Sequence, residues 1–181
     1  MSGPTPGHDW ILLQVPFPAE VPPKCDPAEG VAENEFSMMT LAGKIGMNVP
    51  PLRLIDPASI RNLPEGLGTL KGQALAVERF DRLDGQAVHI EDFAQVFGAY
   101  PDDKYGKASY RNLATVIGAE ASHSDIEEFI SRVVFNALIG NAEMHLKNWS
   151  LIYPDRRRAA LAPAYGFVST IAYIPDKNAA L

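Results

Sequence analysis

Glu143, His145, Lys147 and Asn148 fall within six consecutive residues. Together they supply an acid, an imidazole, an ammonium and a carboxamide. Glu143 is a candidate general base, and Asn148, five residues later, a candidate ligand for a hard cation. A carboxyl base followed closely by a carboxamide metal ligand is the pairing that phosphoryl-transfer loops use, with a cation such as Lys147 available to neutralise phosphate charge. A second chemistry, metal binding by Glu143 and His145, has only two ligands where a closed protein site needs about four. A third account needs no chemistry: a polar surface connection between a helix and a strand.

The elements around this stretch are well marked. An apolar helical run ends at Gly140 just before it. Ser124-Asp-Ile-Glu127 has the spacing of a capping box, in which Ser124 and Glu127 satisfy each other's backbone N–H groups. The helix it opens carries Ile126, Phe129, Ile130, Val133, Val134, Ala137 and Leu138 at helical spacing. Beyond the loop, Trp149–Tyr153 and Ala159–Ala164 form a predicted β-hairpin around the turn Asp155–Arg158.

Upstream, Trp10–Val15 reads as a short strand ended by Pro16, and residues 16–30 as a long proline-rich loop. Ala32–Ile45 reads as a helix with Phe36, Met38, Met39, Leu41, Ala42 and Ile45 on its apolar face and Gly46 as terminator. Leu52–Ile55 is an extended run, and Gln73–Phe80 a strand. Gly66, Gly68 and Gly72 between them have a phosphate-loop spacing, but such a loop opens a helix, and here a strand follows. A wide hairpin loop is expected instead. Asp81–Gly85 reads as a turn, Val88–Ile90 as a brief strand, and Asp92–Phe97 and Tyr110–Ile117 as helices. Lys104 and Tyr105 fall in a polar loop between these helices. Two small lobes joined near residues 80–90 follow from this order.

The 181 residues are 46% hydrophobic and 21% charged, with a net charge of −6. These are ordinary globular values. A general nucleic-acid binder carries a basic face, and the short run Arg156-Arg157-Arg158 reads as a solvated turn, so no direct nucleic-acid contact is expected. The single cysteine, Cys25, excludes an internal disulfide framework and fits a reducing compartment. No apolar run reaches the roughly 18 residues of a membrane span, and the first residues lack a signal-peptide pattern. The expectation is a cytoplasmic protein with no membrane partner.

Phe135-Asn-Ala-Leu-Ile-Gly-Asn-Ala-Glu-Met-His-Leu-Lys-Asn148 resembles the catalytic loop of HipA-type serine/threonine kinase toxins, whose pattern is roughly F-N-x-L-I-G-N-x-D-x-H-x-K-N. Further segments resemble that family in the same order. Ala76-Val-Glu-Arg-Phe-Asp-Arg82 is similar to its hinge strand, which places Glu78 and Phe80 at adenine-contacting positions. Glu33-Asn-Glu35 is similar to the start of its early helix, and Leu161-Ala-Pro-Ala-Tyr-Gly-Phe-Val-Ser169 to its metal-binding segment, L-x-P-x-Y-D. The resemblance covers about residues 9–181. It implies an α+β, protein-kinase-like two-lobed fold: an incomplete N-lobe sheet with one helix and the hinge over residues 10–90, and a mainly helical C-lobe portion with a β-hairpin over residues 91–181. Residues 1–9 are expected to be disordered. It also implies ATP and Mg²⁺ in the cleft, phosphoryl transfer to a protein serine or threonine, and a helix-turn-helix antitoxin partner in a bacterial toxin–antitoxin pair.

Departures from the pattern fall on the catalytic positions. Glu143 stands where the family has its base Asp, and a misplacement of about 1 Å can cost about 10²-fold in rate. Gly166 stands at the metal-binding Asp position, so that ligand is lost and Asn148 remains as the metal residue. By its spacing to Pro16, Gln14 stands where the family has its ATP-pairing Lys. His145 and Lys147 match the pattern; His145 is expected to hold the loop in shape. The family's Gly-rich phosphate loop and its C-terminal helices have no counterpart before Trp10 or after Leu181, so the chain reads as a piece of the fold truncated at both ends. The expected outcome is a degenerate relative with negligible turnover. The alternatives are an active kinase in which another carboxylate, such as Asp81, replaces the one absent at 166; a non-catalytic module (a pseudokinase) that binds nucleotide or antitoxin; and a remnant without function.

Overall fold

The computed structural model of the chain describes residues 10–14, 30–60, 72–83, 85–99 and 108–173. Cys25, Gly66, Gly68, Lys104, Tyr105 and residues 1–9 lie outside these ranges.

The first unit is a three-stranded antiparallel sheet in the order β1 (Trp10–Gln14), β3 (Ala74–Glu78), β2 (Leu52–Ile55). Its central strand is buried over its first four residues: Ala74 and Leu75 are fully buried, Ala76 and Val77 almost so. A central strand covered on both faces needs a continuous apolar run, which Ala74-Leu-Ala-Val77 supplies. Helix α1 (Val31–Lys44) packs on it through a cluster of Ala32, Leu75 and Val77, with Phe36, Leu52 and Leu54 at its margin.

The second unit holds the larger core. Phe93 and Ala94 of the one-turn helix α2 (Phe93–Val96) meet Leu113 and Ile117 of α3 (Tyr110–Glu120), Phe129 of α4 (His123–Ile139) and Leu146, Trp149, Leu151 and Leu161. Two two-residue strands, β4 (Arg82–Leu83) and β5 (Gln86–Ala87), pair as the small hairpin that joins the two units. The expected C-terminal hairpin forms as β7 (Ser150–Tyr153) and β8 (Ala160–Leu161), with β6 (His89–Asp92) added along the free edge of β7. The strand expected at Val88–Ile90 therefore belongs to a three-stranded sheet.

A third cluster joins the units: Met39 and Ala42 of α1 against Phe135 of α4, with Ala164 and Phe167. The start of α1 and its exit are also tied to the second unit, so α1 bridges the two.

Two local expectations are corrected. The capping box that opens α4 is Ser122 with Asp125, not Ser124 with Glu127. Asp125 Oδ2 accepts from the Ser122 N–H at 2.9 Å, while its Oδ1 accepts from the Leu161 N–H at 3.0 Å. That second bond, to β8, is a tertiary one that no local pattern contains. The buried face of α4 consists of Phe129, Arg132, Phe135 and Asn136, and Ile130, Val134 and Leu138 are exposed. Likewise α1 buries Ala32, Glu35, Met39 and Ala42, with Leu41 and Ile45 exposed.

Candidate active site

Helix α4 ends with Gly140 in the left-handed region, φ +65°. An added Cβ there would sit 2.8 Å from Ile171 Cγ2, so both conformation and space call for glycine. Asn141 follows, buried. Its Nδ2 donates to Asn136 Oδ1 at 2.7 Å and to the Gly166 carbonyl at 3.0 Å, and its Oδ1 accepts from the Glu143 N–H at 3.0 Å. One carboxamide thus joins the helix, the loop and the segment bearing Gly166. Asn136 completes the chain by donating to the Arg132 carbonyl at 2.9 Å.

The loop then folds on itself. The Glu143 carbonyl accepts from the His145 N–H at 2.8 Å and from Asn148 Nδ2 at 2.6 Å. Buried Met144 and Leu146 anchor it, and Tyr110 Oη donates to the Met144 carbonyl at 3.0 Å. The Glu143 side chain is half-exposed, with Oε2 3.4 Å from His145 Nε2, and the His145 side chain is mostly buried. Lys147 faces solvent. Asn148 has its amide nitrogen committed to the loop. This leaves its Oδ1 as the atom suited to a hard cation.

Gly166 lies against this asparagine. Its φ is +71°, and a Cβ built there would be 3.2 Å from Asn148 Cγ and 3.4 Å from Oδ1. Beside them, among Asn136, Asn141, Asn148 and Gly166, is a cavity of about 10 Å³, room for about one water. The position at which the family pattern has an Asp is thus adjacent to Asn148. Neighbouring Tyr165 is fixed by Ser150 Oγ at 2.5 Å and by donation to the Lys147 carbonyl at 2.9 Å; burial pushes its hydroxyl up to about 12. The ring of Phe80 stacks on Tyr165, with centroids 5.9 Å apart and planes at 22°. That contact brings Phe80 beside the Gly166 segment, and the bond from Tyr165 to Lys147 links it on to the loop.

Gln14 and Glu78 remain on the first sheet. Glu78 pairs with Trp10, and Gln14 with Leu75. The two positions are three residues apart along β3, about 10 Å. The β1–β3 register shifts between Leu12 and Gln14, which is how a strand takes up an extra residue.

Asp81 is engaged elsewhere. Its carboxylate accepts from Arg79 Nε at 2.8 Å and from Arg82 Nη1 at 2.7 Å. The hydrogen bond from Arg79 holds its carboxyl below the ordinary value, against the opposing effect of burial. A depressed folded-state pKa contributes stability above the unfolded value of 3.8 and loses it as pH falls through the folded value. D81N is therefore expected to melt below the parent at neutral pH and to converge with it on acidification. Melting curves between about pH 7 and about pH 3 test this, and a gap independent of pH would contradict it.

Among the described residues no group of three or more His, Cys, Asp or Glu side chains gathers to hold a metal. The residues at the site do not fit a tightly held Mg²⁺. Such an ion takes oxygens in near-octahedral array, and the loop presents Asn148 Oδ1 and a half-exposed Glu143. No described helix is long and apolar enough to cross a membrane. The turn Asp155–Arg158 is exposed, with Asp155 Oδ1 accepting from the N–H groups of Arg157 and Arg158 at 2.9 and 2.7 Å.

No sequence pattern singled out Arg132 or Thr170, and Asn34, Asn136 and Asn141 stood in the family-like segments without a role of their own. Arg132 and Asn136 interrupt an apolar helix at i and i+4, and that spacing was the available signal.

Residues 7–181 match the HipA-like C-terminal domain. The chain is 60% identical over 151 residues to the candidate kinase Y4dM of Sinorhizobium fredii, covering 83% of this chain and 37% of that protein. A candidate kinase of Haemophilus influenzae is 34% identical over 163 residues, covering 83% of this chain and 45% of that protein. The chain thus spans less than half the length of these relatives. Among solved structures, HipA of Shewanella oneidensis, determined with HipB and operator DNA, matches with a TM-score of 0.67 at 25% identity, covering 83% of this chain and 37% of that one. The proinflammatory kinase CtkA of Helicobacter pylori matches with a TM-score of 0.52 at 16% identity, covering 77% of this chain and 48% of that one, a likeness of fold. The architecture is α+β and kinase-like, and on the match along nearly its whole length the chain belongs to the HipA-like C-terminal domain family.

Proposed function

We propose that the chain is a weakened HipA-type kinase cleft that binds nucleotide and turns it over negligibly. In the intact family the reaction would be phosphoryl transfer from ATP to a serine or threonine of a protein. Glu78 and Phe80 would hold the adenine, the phosphate-pairing position would be filled by the uncharged Gln14, and Glu143 would stand as base with His145 and the loop's own hydrogen bonds holding it in place. The contact between Gly166 and Asn148 carries this reading: the place for a second metal ligand holds backbone only. Phosphoryl transfer rests almost entirely on positioning and charge stabilisation, and a neutral residue at 14, a lengthened base at 143 and a missing ligand at 166 each subtract from it.

A thermal-shift titration with ATP, with and without Mg²⁺, tests the reading. Stabilisation that does not depend on the metal is expected. Magnesium-dependent ATP turnover well above background, abolished by Asn148→Ala, would sink it.

A second reading is favoured by the Shewanella complex: the chain engages a helix-turn-helix partner of the HipB type in the cytoplasm. Co-purification with such a partner tests it, and no nucleotide shift together with stable co-purification would favour it over the first.

A further inference from the structure

The start of helix α1 is fastened to the segment that follows Gly166. Asn34 Oδ1 accepts from the Ser169 N–H at 2.8 Å, and Asn34 Nδ2 donates to the Ser169 carbonyl at 3.3 Å. The side chain so pairs with both backbone groups of one residue, as a neighbouring strand would. Its orientation is fixed by chemistry, because a flipped amide would set donor against donor and acceptor against acceptor.

The next residue continues the connection. Thr170 is buried. Its Oγ1 accepts from the Ala142 N–H at 2.6 Å and donates to the Gly140 carbonyl at 3.0 Å. The Ile171 N–H also donates to the Gly140 carbonyl, at 3.1 Å. A continuous path therefore runs from α1, through Asn34, Ser169 and Thr170, to the turn that leads into Glu143.

We propose that Asn34 is a positioning residue through which helix α1, and the first sheet packed on it, set the conformation of the catalytic-type loop. The proposal rests on reading residues 141–148 as that loop. Two further contacts tie helix α1 to the second unit. Its exit is fixed at Asn48, whose N–H donates to Glu128 Oε1 at 3.0 Å and whose carbonyl accepts from the Ala164 N–H at 2.8 Å. Its middle is held by apolar packing of Met39 and Ala42. The bonds and cluster that make these two contacts do not include residues 140–142. Asn34 is a point where a displacement of α1 is passed toward the loop by directional bonds, which demand alignment to within tens of degrees, whereas apolar packing tolerates sliding.

Residue-resolved hydrogen exchange on the whole chain, without nucleotide, tests this. Asn34→Ala removes two hydrogen bonds, each with a net contribution of about 1 kcal/mol. Exchange at Ala142 and Ile171 is expected to accelerate about tenfold or more, with the β7 amides of Leu151 and Ile152 unchanged. Thr170→Val, which removes the hydroxyl and keeps the shape, is expected to free Ala142 to a similar degree, and the double variant to add little, because both act on one path. Asn34→Asp keeps the acceptor and loses the donor, and should fall between parent and Asn34→Ala. Unchanged exchange at Ala142 in Asn34→Ala overturns the proposal. So does uniform acceleration that includes β7, which marks a general stabiliser, and so does full additivity with Thr170→Val. Because no nucleotide is present, these results stand apart from the thermal-shift titration. A chain that fails to bind ATP can still show the coupling, and one that binds ATP can still lack it.

Discussion

Arg132→Met is expected to lower the unfolding free energy by about 3 kcal/mol, or roughly 6–12 °C in Tm for a domain of this size. Methionine keeps much of the volume, so the loss isolates the guanidinium. Arg132 is 3% exposed and makes three kinds of contact. Its Nε donates to Glu128 Oε1 at 2.7 Å, Nη1 to the Ala162 carbonyl at 2.8 Å, and Nη2 to the Asn48 carbonyl at 3.3 Å. Burial pulls its pKa below the ordinary value, and the Glu128 carboxylate beside it opposes that. It therefore binds α4, the approach to Gly166 and the exit of α1 at one buried point. Removing it leaves the Ala162 carbonyl without that donor in the interior. The Asn48 carbonyl suffers less because the Ala164 N–H still reaches it. Glu128 is partly exposed, which keeps the cost at the lower end for a broken buried pair. Removing both charges in R132M/E128L should recover part of the loss. Denaturant unfolding measures both, and an R132M chain within about 0.5 kcal/mol of the parent would show that the guanidinium is dispensable.

The same residue marks the limit of reading this fold from its sequence. The segments carrying the site were legible: the helix to Gly140, the polar loop, the hairpin after it, and a strand within Gln73–Phe80. Each has a local signal, in periodicity, a glycine stop or a continuous apolar run. Which face of α4 turns inward was not legible. Ile130, Val134 and Leu138 recur every four residues as regularly as core positions do, so periodicity admits them. The choice is made by what the helix packs against, and there the Arg132 guanidinium meets the Ala162 and Asn48 carbonyls and the Asn136 carboxamide accepts from Asn141, which a leucine could not do. The capping box shows the same limit. Ser122/Asp125 and Ser124/Glu127 have identical spacing, and Asp125 prevails by also reaching the Leu161 N–H of β8. At the site, Gly166 was identified by pattern, but its contact with Asn148 depends on two chain segments meeting. Asn34 carried no local sign of its role, because its partner is 135 residues away.

Gly166→Asp is expected to give the chain a magnesium dependence that the parent lacks. Two effects oppose each other. Without metal the variant should be less stable by about 1–2 kcal/mol. The backbone there is left-handed, and the new Cβ would press on the Asn148 carboxamide at 3.2–3.4 Å. That amide would have to give by a few tenths of an ångström, against its 2.6 Å bond to the Glu143 carbonyl. The introduced carboxylate would also lie beside Asn148 Oδ1, and two adjacent oxygen donors with nucleotide phosphates are what a protein-bound Mg²⁺ requires. With ATP and Mg²⁺ together at 100 times their dissociation constant, the gain would be about 2.7 kcal/mol, enough to outweigh the strain. Melting curves of parent, G166D and G166A, each with ATP and with or without Mg²⁺, separate the effects. G166A carries the left-handed strain and the crowding without the carboxylate, so it should melt low under every condition. G166D should melt low without the metal and recover with it. Were G166D to fold and respond to Mg²⁺ no more than G166A does, the missing ligand at position 166 would not be what weakens the site, and the neutral Gln14 or the lengthened Glu143 would have to account for it.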